Sequence, residues 1–250
     1  MTNIILCGCN GKMGHAVQNL VPQREECTIV AGVVITPQEA SPFPVYASLE
    51  AVQEQAQVVV DFSNPSALSS ILEYCRSHPG TAAVLCTTGY SAEQTQEIQK
   101  AAKELPLFYS RNMSLGVNLL IELAKKAESV LGDGFDVEIV EMHHNQKIDA
   151  PSGTALMIAD AINQVRENSM QYVYDRHSQR KKREKKEIGL HSVRGGSIVG
   201  EHQVIFAGQS EVLTLSHSAQ SKELFAVGAV NAALFMNCKG PGLYDMSHLI

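Results

Sequence analysis

Five short runs in the first 110 residues are apolar throughout rather than alternating, and they restrict what this chain can fold into. They cover residues 3–8, 28–35, 58–62, 82–86 and 107–110. A strand that is apolar on every position is buried on both faces, which is the condition of a parallel sheet covered by helices on either side. Helical stretches at 13–20, 49–55 and 92–103 fall between the runs. The alternation therefore predicts an α/β fold with a parallel, doubly wound sheet and right-handed crossovers.

After about residue 113 the pattern changes. A helix is expected over 116–130, with Val117, Leu120, Ile121, Ala124 and Ala127 on one face. A strand over 135–142 follows, with Val137, Ile139 and Glu141 on the face opposite Glu138 and Val140. A helix over 154–165 buries Ala155, Ile158, Ala159 and Ile162. Strands at 189–193, 202–207 and 211–217 come next, the last two joined by the short Gly208-Gln209-Ser210 connection of a hairpin. This half reads as α+β, with strands close in sequence and expected to be antiparallel. A helix over 222–236 and an irregular tail end the chain.

The chain of 250 residues is long enough for one large domain or two modest ones, and 44% hydrophobic against 18% charged residues gives a core of ordinary size. A net charge of -6 argues against a nucleic-acid partner. The one basic cluster, residues 180–186, reads as a solvated loop, with an anion-docking site as the alternative. Six cysteines include no CxxC pair, and Cys7 and Cys9 alternate along a strand end, so reduced thiols and no metal are expected. The opening residues hold no basic leader, and no apolar span of membrane length occurs, so the expectation is a cytoplasmic protein with no membrane partner.

Gly8-Cys9-Asn10-Gly11-Lys12-Met13-Gly14 lies between the first strand and the first helix, where a phosphate-cradling turn belongs. Glycines permit the turn and close backbone approach, and free amides at a helix start face a pyrophosphate. Glycine turns after strands are often only turns; here strand, helix and position agree on a dinucleotide site, which makes the first half Rossmann-like. The second strand ends in Ile35 and Thr36, where an acid would bond a ribose; the nearest is Glu39. With no carboxylate to repel a ribose phosphate, NADPH is expected to serve at least as well as NADH. Further strand-end loops are Cys86-Thr87-Thr88-Gly89, Ser110-Arg111-Asn112-Met113 and 61–65, where Ser63 or Asn64 suits a helix cap.

The densest chemistry sits at 141–155, EMHHNQKIDAPSGTA. A His pair alone is more often structural than catalytic, and adjacent residues of an extended segment point opposite ways, which disfavours a shared metal. Asp149 to Thr154 looks like a helix entry: Pro151 suits a first turn, and amides of Ser152, Gly153 and Thr154 would be free to bind a carboxylate. Ordinary capping by Asp149 or Ser152 can coexist with that.

This run resembles the signature of the dihydrodipicolinate (4-hydroxy-tetrahydrodipicolinate) reductases of the diaminopimelate route to lysine. The Gly8 loop is similar to the family's GxxGRMG, with Lys12 in place of Arg, and 86–89 to its GTTG, with Cys86 in place of Gly. Residues 193–202 and 220–229 are similar to later family blocks, so the resemblance spans nearly the whole chain.

It implies a substrate that is a small cyclic imine bearing two carboxylates, reduced by hydride from NADPH or NADH and then protonated. It implies His143 and Lys147 as the acid/base pair, and His144, Ser152, Gly153 and Thr154 as carboxylate contacts. Gly8, Cys9, Asn10, Gly11, Lys12, Met13, Thr36, Cys86, Thr87, Thr88, Ser110, Arg111, Asn112 and Met113 are implied at the cofactor. The nucleotide domain would span 1–113 and 224–250. A substrate and tetramerisation domain with an open mixed sheet would span 114–223, hinged near 113–116 and 222–225. His202 and His217 are expected to pack or to serve an interface. Another two-domain nicotinamide dehydrogenase would keep the glycine loop without HHxxKxDAPSGT, and a non-catalytic dinucleotide sensor would need neither His143 nor Lys147.

Overall fold

The computed structural model describes residues 1–36 and 41–250. They form two compact units, Met1–Leu115 with Glu223–Ile250, and Gly116–Lys222. The first unit opens with β1 (Thr2–Cys7), α1 (Lys12–Leu20), β2 (Cys27–Val33) and β3 (Val45–Tyr46). It continues with β4 (Val58–Asp61), α2 (Leu68–Ser77), β5 (Ala82–Leu85), α3 (Ala92–Ala101) and β6 (Pro106–Tyr109). All strand pairs here are parallel. The apolar runs bury both faces: Ile4, Leu6, Val58, Val60 and Val84 line one core, Ile5, Val59, Ala83 and Leu85 the other.

Two helical expectations shift. Where a helix over 49–55 is expected, only a single 3-10 turn, Leu49–Ala51, forms. The helix between β4 and β5 is instead α2, which the sequence reading does not assign. Its entry is a cap of the kind expected at 63–64: the Asn64 side chain accepts from the Ser66 amide, and a 3-10 turn, Pro65–Ala67, leads in. Leu68, Ile71, Leu72 and Cys75 then follow on one buried stripe.

The second unit comprises α4 (Leu115–Leu131, one residue longer than expected at each end, its first residue falling in the first unit), β7 (Asp136–His143), α5 (Gly153–Val165), β8 (Gln171–Val173), β9 (Glu187–Arg194), β10 (Gly200–Ala207) and β11 (Val212–Ala219). Its five strands order as β11-β10-β7-β9-β8. The β10–β11 hairpin is antiparallel, as expected, but β9 runs parallel to β7, and β8 parallel to β9. The sheet is therefore mixed, because α5 carries the chain back to the starting edge before β9 pairs. Val137, Ile139, Glu141 and His143 are buried on one face of β7, and α4 and α5 pack there through Leu120, Ala124, Ala155, Ile158, Ala159 and Ile162.

The chain then returns to the first unit as α6 (Glu223–Met236) and β12 (Gly242–Tyr244). β12 pairs parallel with β6, within the tail expected to be irregular, and completes a seven-stranded sheet of order β12-β6-β5-β4-β1-β2-β3. Among the described residues no helix is long and apolar enough to cross a membrane.

Candidate active site

The strand order of the first sheet reverses between β1 and β4, and in an open parallel sheet such a switch point opens a crevice at the carboxyl ends of the strands. The glycine loop sits there. Gly8 has φ +75°, and a Cβ on it would lie 2.5 Å from the Phe62 carbonyl oxygen of the loop after β4. A Cβ on Gly14 would collide with the Gly8 and Cys9 carbonyls, so α1 packs directly under the turn. Gly11 is the N-cap of α1 and offers no side-chain cap, which leaves the helix entrance to a ligand. This cradle fits a dinucleotide pyrophosphate.

A groove of ≈ 510 Å³ runs beside it, lined by Gly8, Asn10, Gly11, Thr36, Ser63 and Asn64 among others, with no carboxylate among its described lining residues. Glu39 lies outside the described residues.

The remaining cofactor candidates divide by burial. Cys9 and Cys86 are buried with the apolar core, and burial pushes both thiols up, so they offer a ligand backbone rather than sulfur. Met113 is buried and Met13 half-buried against the same core. Lys12, Thr88 and Arg111 are exposed, Thr87 and Asn112 buried. Asn112 accepts from the Ser114 amide at 2.8 Å, and Ser110 donates to the Asn112 carbonyl at 3.0 Å, which fixes the turn after β6. A residue read in the sequence only as the start of the 61–65 loop joins the loops after β4 and β5. Asp61, fully buried at the end of β4, accepts from the Ser63 amide and hydroxyl and from Tyr90 of the loop after β5.

In the second unit the chemistry gathers at the end of β7. Glu141 is fully buried, and Arg194 grips it with two hydrogen bonds, Nη2 to Oε1 at 2.7 Å and Nη1 to Oε2 at 2.8 Å. Oε1 also accepts from the Ser152 amide at 3.1 Å, and Oε2 lies 2.6 Å from His143 Nδ1. Burial alone would raise the carboxyl, but hydrogen bonds from Arg194, Ser192 and His143 draw it down to about 2. An ionised carboxylate only accepts, so His143 carries its proton on Nδ1. Burial lowers the His143 pKa despite Glu141, and the Lys147 and Arg194 charges lower it further.

Lys147 pairs with Asp149 at 2.7 Å, and Arg194 Nη2 donates to the Asp149 carbonyl at 2.6 Å. His144 is half-buried. Ser152 is the N-cap of α5, its Oγ accepting from the Ala155 amide at 3.2 Å. Two expectations change here. The Ser152 amide is committed to Glu141 rather than free, and Pro151 precedes the N-cap instead of entering the first turn. Gly153 is exposed with open space around its α-carbon, and Thr154 is half-buried beside it. Among the described residues no cluster of His, Cys, Asp and Glu is gathered to hold a metal ion.

Three members of this site escape the sequence reading. None is given a chemical role: Glu141 is seen as a face residue of β7 and the first residue of the signature run, Arg194 as part of a family-like block, and His202 as a packing or interface residue. His202 Nε2 lies 3.0 Å from Ser152 Oγ, and its ring is 5.3 Å from that of His143. The available signal was parity: Glu141 and His143 alternate with Val137 and Ile139 on the buried face of β7, so both must be partnered inside.

A glycine-cradled doubly wound sheet, joined in one chain to a unit that buries an imidazole against a carboxylate–guanidinium pair, defines an oxidoreductase of the nicotinamide-dinucleotide class. Comparison narrows this. Residues 2–113 match the family model "Dihydrodipicolinate reductase, N-terminus" and residues 116–250 match "Dihydrodipicolinate reductase, C-terminus". The chain is 51% identical over 252 residues to the 4-hydroxy-tetrahydrodipicolinate reductase of Caldanaerobacter subterraneus subsp. tengcongensis, covering 100% of this chain and 98% of that one. It is 45% identical to the enzyme of that name from Clostridium novyi, with the same coverage. A dipicolinate-bound dihydrodipicolinate reductase from Paenisporosarcina sp. TG-14 superposes with a TM-score of 0.83 at 26% identity over the whole of both chains. An amine dehydrogenase from Mycobacterium smegmatis, at 15% identity and a TM-score of 0.58, shares the fold. The chain belongs to the dihydrodipicolinate reductase family. It is an enzyme, and its family uses NAD(P)H.

Proposed function

We propose that the chain reduces 4-hydroxy-tetrahydrodipicolinate to tetrahydrodipicolinate in the diaminopimelate route to lysine. The observation that carries this reading is the tied cluster of His143, Lys147 and the leading end of α5, gathered around Glu141 and Arg194. Bound NADPH or NADH supplies the hydride. His143 and Lys147 form the acid/base pair: the imidazole exchanges a proton near neutral pH, and the ammonium offsets negative charge as it builds. His144, the Ser152 hydroxyl, Gly153 and Thr154 bind the two carboxylates, with the α5 dipole favouring the anion. The loop from Gly8 to Met13, with Thr36, the backbone at Cys86, Thr87 and Thr88, and residues Ser110 to Met113, holds the cofactor in the first unit.

NADPH serves at least as well as NADH. The groove beside the glycine loop has no carboxylate among its described lining residues, so nothing there repels a ribose phosphate. Steady-state rates with both cofactors test this, and a large NADH preference would overturn it. The assembly is a homotetramer built through the second unit's sheet. The face away from α4 and α5 carries Val140, Met142, Ile205, Val193 and Val212, the last two 43% and 62% exposed. Light scattering on the purified protein tests it, and a monomer would refute it. Six unpaired cysteines among the described residues suit a reducing cytoplasm.

The decisive assay follows NADPH oxidation with the product of dihydrodipicolinate synthase. Turnover separates this enzyme from a dehydrogenase of other substrates and from a sensor. His143→Ala and Lys147→Ala should each lower turnover at least ~100-fold, the order expected for a general acid. Near-normal turnover in both would remove the assignment.

A further inference from the structure

We propose that Glu141 is a positioning residue that, clamped by Arg194, fixes the His143 tautomer so that Nε2 is the ring nitrogen left for proton exchange. The proposal rests on the reading of His143 as an acid/base group and adds how that group is held.

Beside the Ser192 hydroxyl, which also lowers the carboxyl, each of the two Glu141 oxygens receives two inward donors. Oε1 takes Arg194 Nη2 and the Ser152 amide; Oε2 takes Arg194 Nη1 and His143 Nδ1. The Glu141 side chain is fully buried and that of His143 is 11% exposed, so water does not substitute for these partners. Register reinforces the arrangement: His143 pairs with Arg194, and Glu141 with Ser192, across β7 and β9. The imidazole is thus pinned at Nδ1. Its other edge faces the backbone at Gly200, where even a Cβ would come within 3.0 Å of Nε2. The same guanidinium holds the Asp149 carbonyl, and Asp149 holds Lys147. One buried carboxylate therefore orders the ring, the N-cap of α5 and, through Arg194, the loop that presents the lysine.

Glutamine at 141 has nearly the same shape but replaces one acceptor by an NH2 donor. Placed at the Oε1 position, that donor would meet Arg194 and the Ser152 amide, neither of which can become an acceptor. Placed at the Oε2 position, it meets Arg194 and His143, and an imidazole accepts at Nδ1 simply by moving its proton to Nε2. Glu141→Gln is therefore expected to invert the His143 tautomer, a change that loss of stability alone does not produce.

The experiment is 15N imidazole NMR of the full-length protein, with the His143 resonances identified by their loss in His143→Ala, alongside steady-state kinetics. In the wild type the proton is expected on Nδ1, and a proton on Nε2 overturns the proposal without any variant. In folded Glu141→Gln the proton is expected on Nε2, with kcat reduced about 100-fold and KM changed less than about 3-fold. Folded Glu141→Gln with the wild-type tautomer and turnover also overturns it. If Glu141→Gln does not fold, the wild-type tautomer decides. Near-normal turnover in His143→Ala would instead remove the acid/base reading and leave the tautomer result standing.

Discussion

His202 is 4% exposed on β10, beside His143 and hydrogen-bonded to Ser152, and burial lowers its pKa from 6.5 to about 4. His143, His217 and Lys147 lower it further, and only Glu141 opposes them. A histidine held neutral in this way contributes stability that is complete above the unfolded value and is lost as pH falls toward the folded one. Between pH 7.5 and 5 the unfolded chain binds the extra proton, so about 2 kcal/mol of unfolding free energy should disappear. Urea titrations at those two pH values should show the loss, and His202→Gln should flatten most of it, leaving the smaller slopes of His143 and His217, whose pKa values are also lowered. An unchanged slope in His202→Gln would mean that the ring is not held neutral. At this scale the sequence named the residues with reactive side chains but not those that hold them. His143 and Lys147 announce themselves by type and spacing, whereas Glu141, Arg194 and His202 acquire roles only once β7, β9 and β10 are paired in register.

Among the elements, the stretch linking β8 to β9 departs furthest from its sequence. The basic run 180–186 reads as uniform charge, yet Arg183 is folded in while Arg180, Lys182, Lys185 and Lys186 stay exposed. Its guanidinium donates to Asp136 at 2.7 Å, to Glu138 at 2.9 Å and to the carbonyls of Val137 and Glu187 at 3.1 and 2.6 Å. Glu138 is shared with Arg176 and His191, so one network joins the start of β7 to the crossover that brings β9 in parallel. Arg183→Ala should cost about 2 kcal/mol, because it strands partly buried acceptors, whereas Lys182→Ala should stay within ~0.5 kcal/mol. Thermal melts of the two variants check this, and equal effects would reduce Arg183 to a solvated charge. A one-dimensional charge count cannot single out Arg183, since its carboxylate partners, Asp136 and Glu138, lie about 45 residues away along the chain. The parallel pairing of β9 was hidden for a similar reason: proximity in sequence suggested antiparallel neighbours, and only the α5 crossover reverses the direction.

For the molecule as a whole, the alternation of apolar runs was enough to read the doubly wound sheet, because a strand buried on both faces leaves little choice of architecture. It could not reveal that the sheet is finished by residues more than 200 positions downstream. α6 is apolar on nearly every side and supplies Ala226, Ala229, Val230, Ala233 and Met236 to the core that holds Ile4, Val58 and Val84. Its Gly228 packs against the Met113 carbonyl so closely that a Cβ there would collide. Residues 1–115 alone would therefore keep α1 on that face but expose the rest of it, the part that α6 covers. Such a fragment should melt without a cooperative transition, because the lost apolar burial is worth several side chains at about 1.5–3 kcal/mol each. Joining 1–115 to 223–250 through a flexible linker should restore a cooperative melt, since both ends belong to one compact unit. Calorimetry on the two constructions distinguishes them. Equal cooperativity would mean that α6 merely covers a core already complete without it, and the discontinuous unit would then not be a folding requirement.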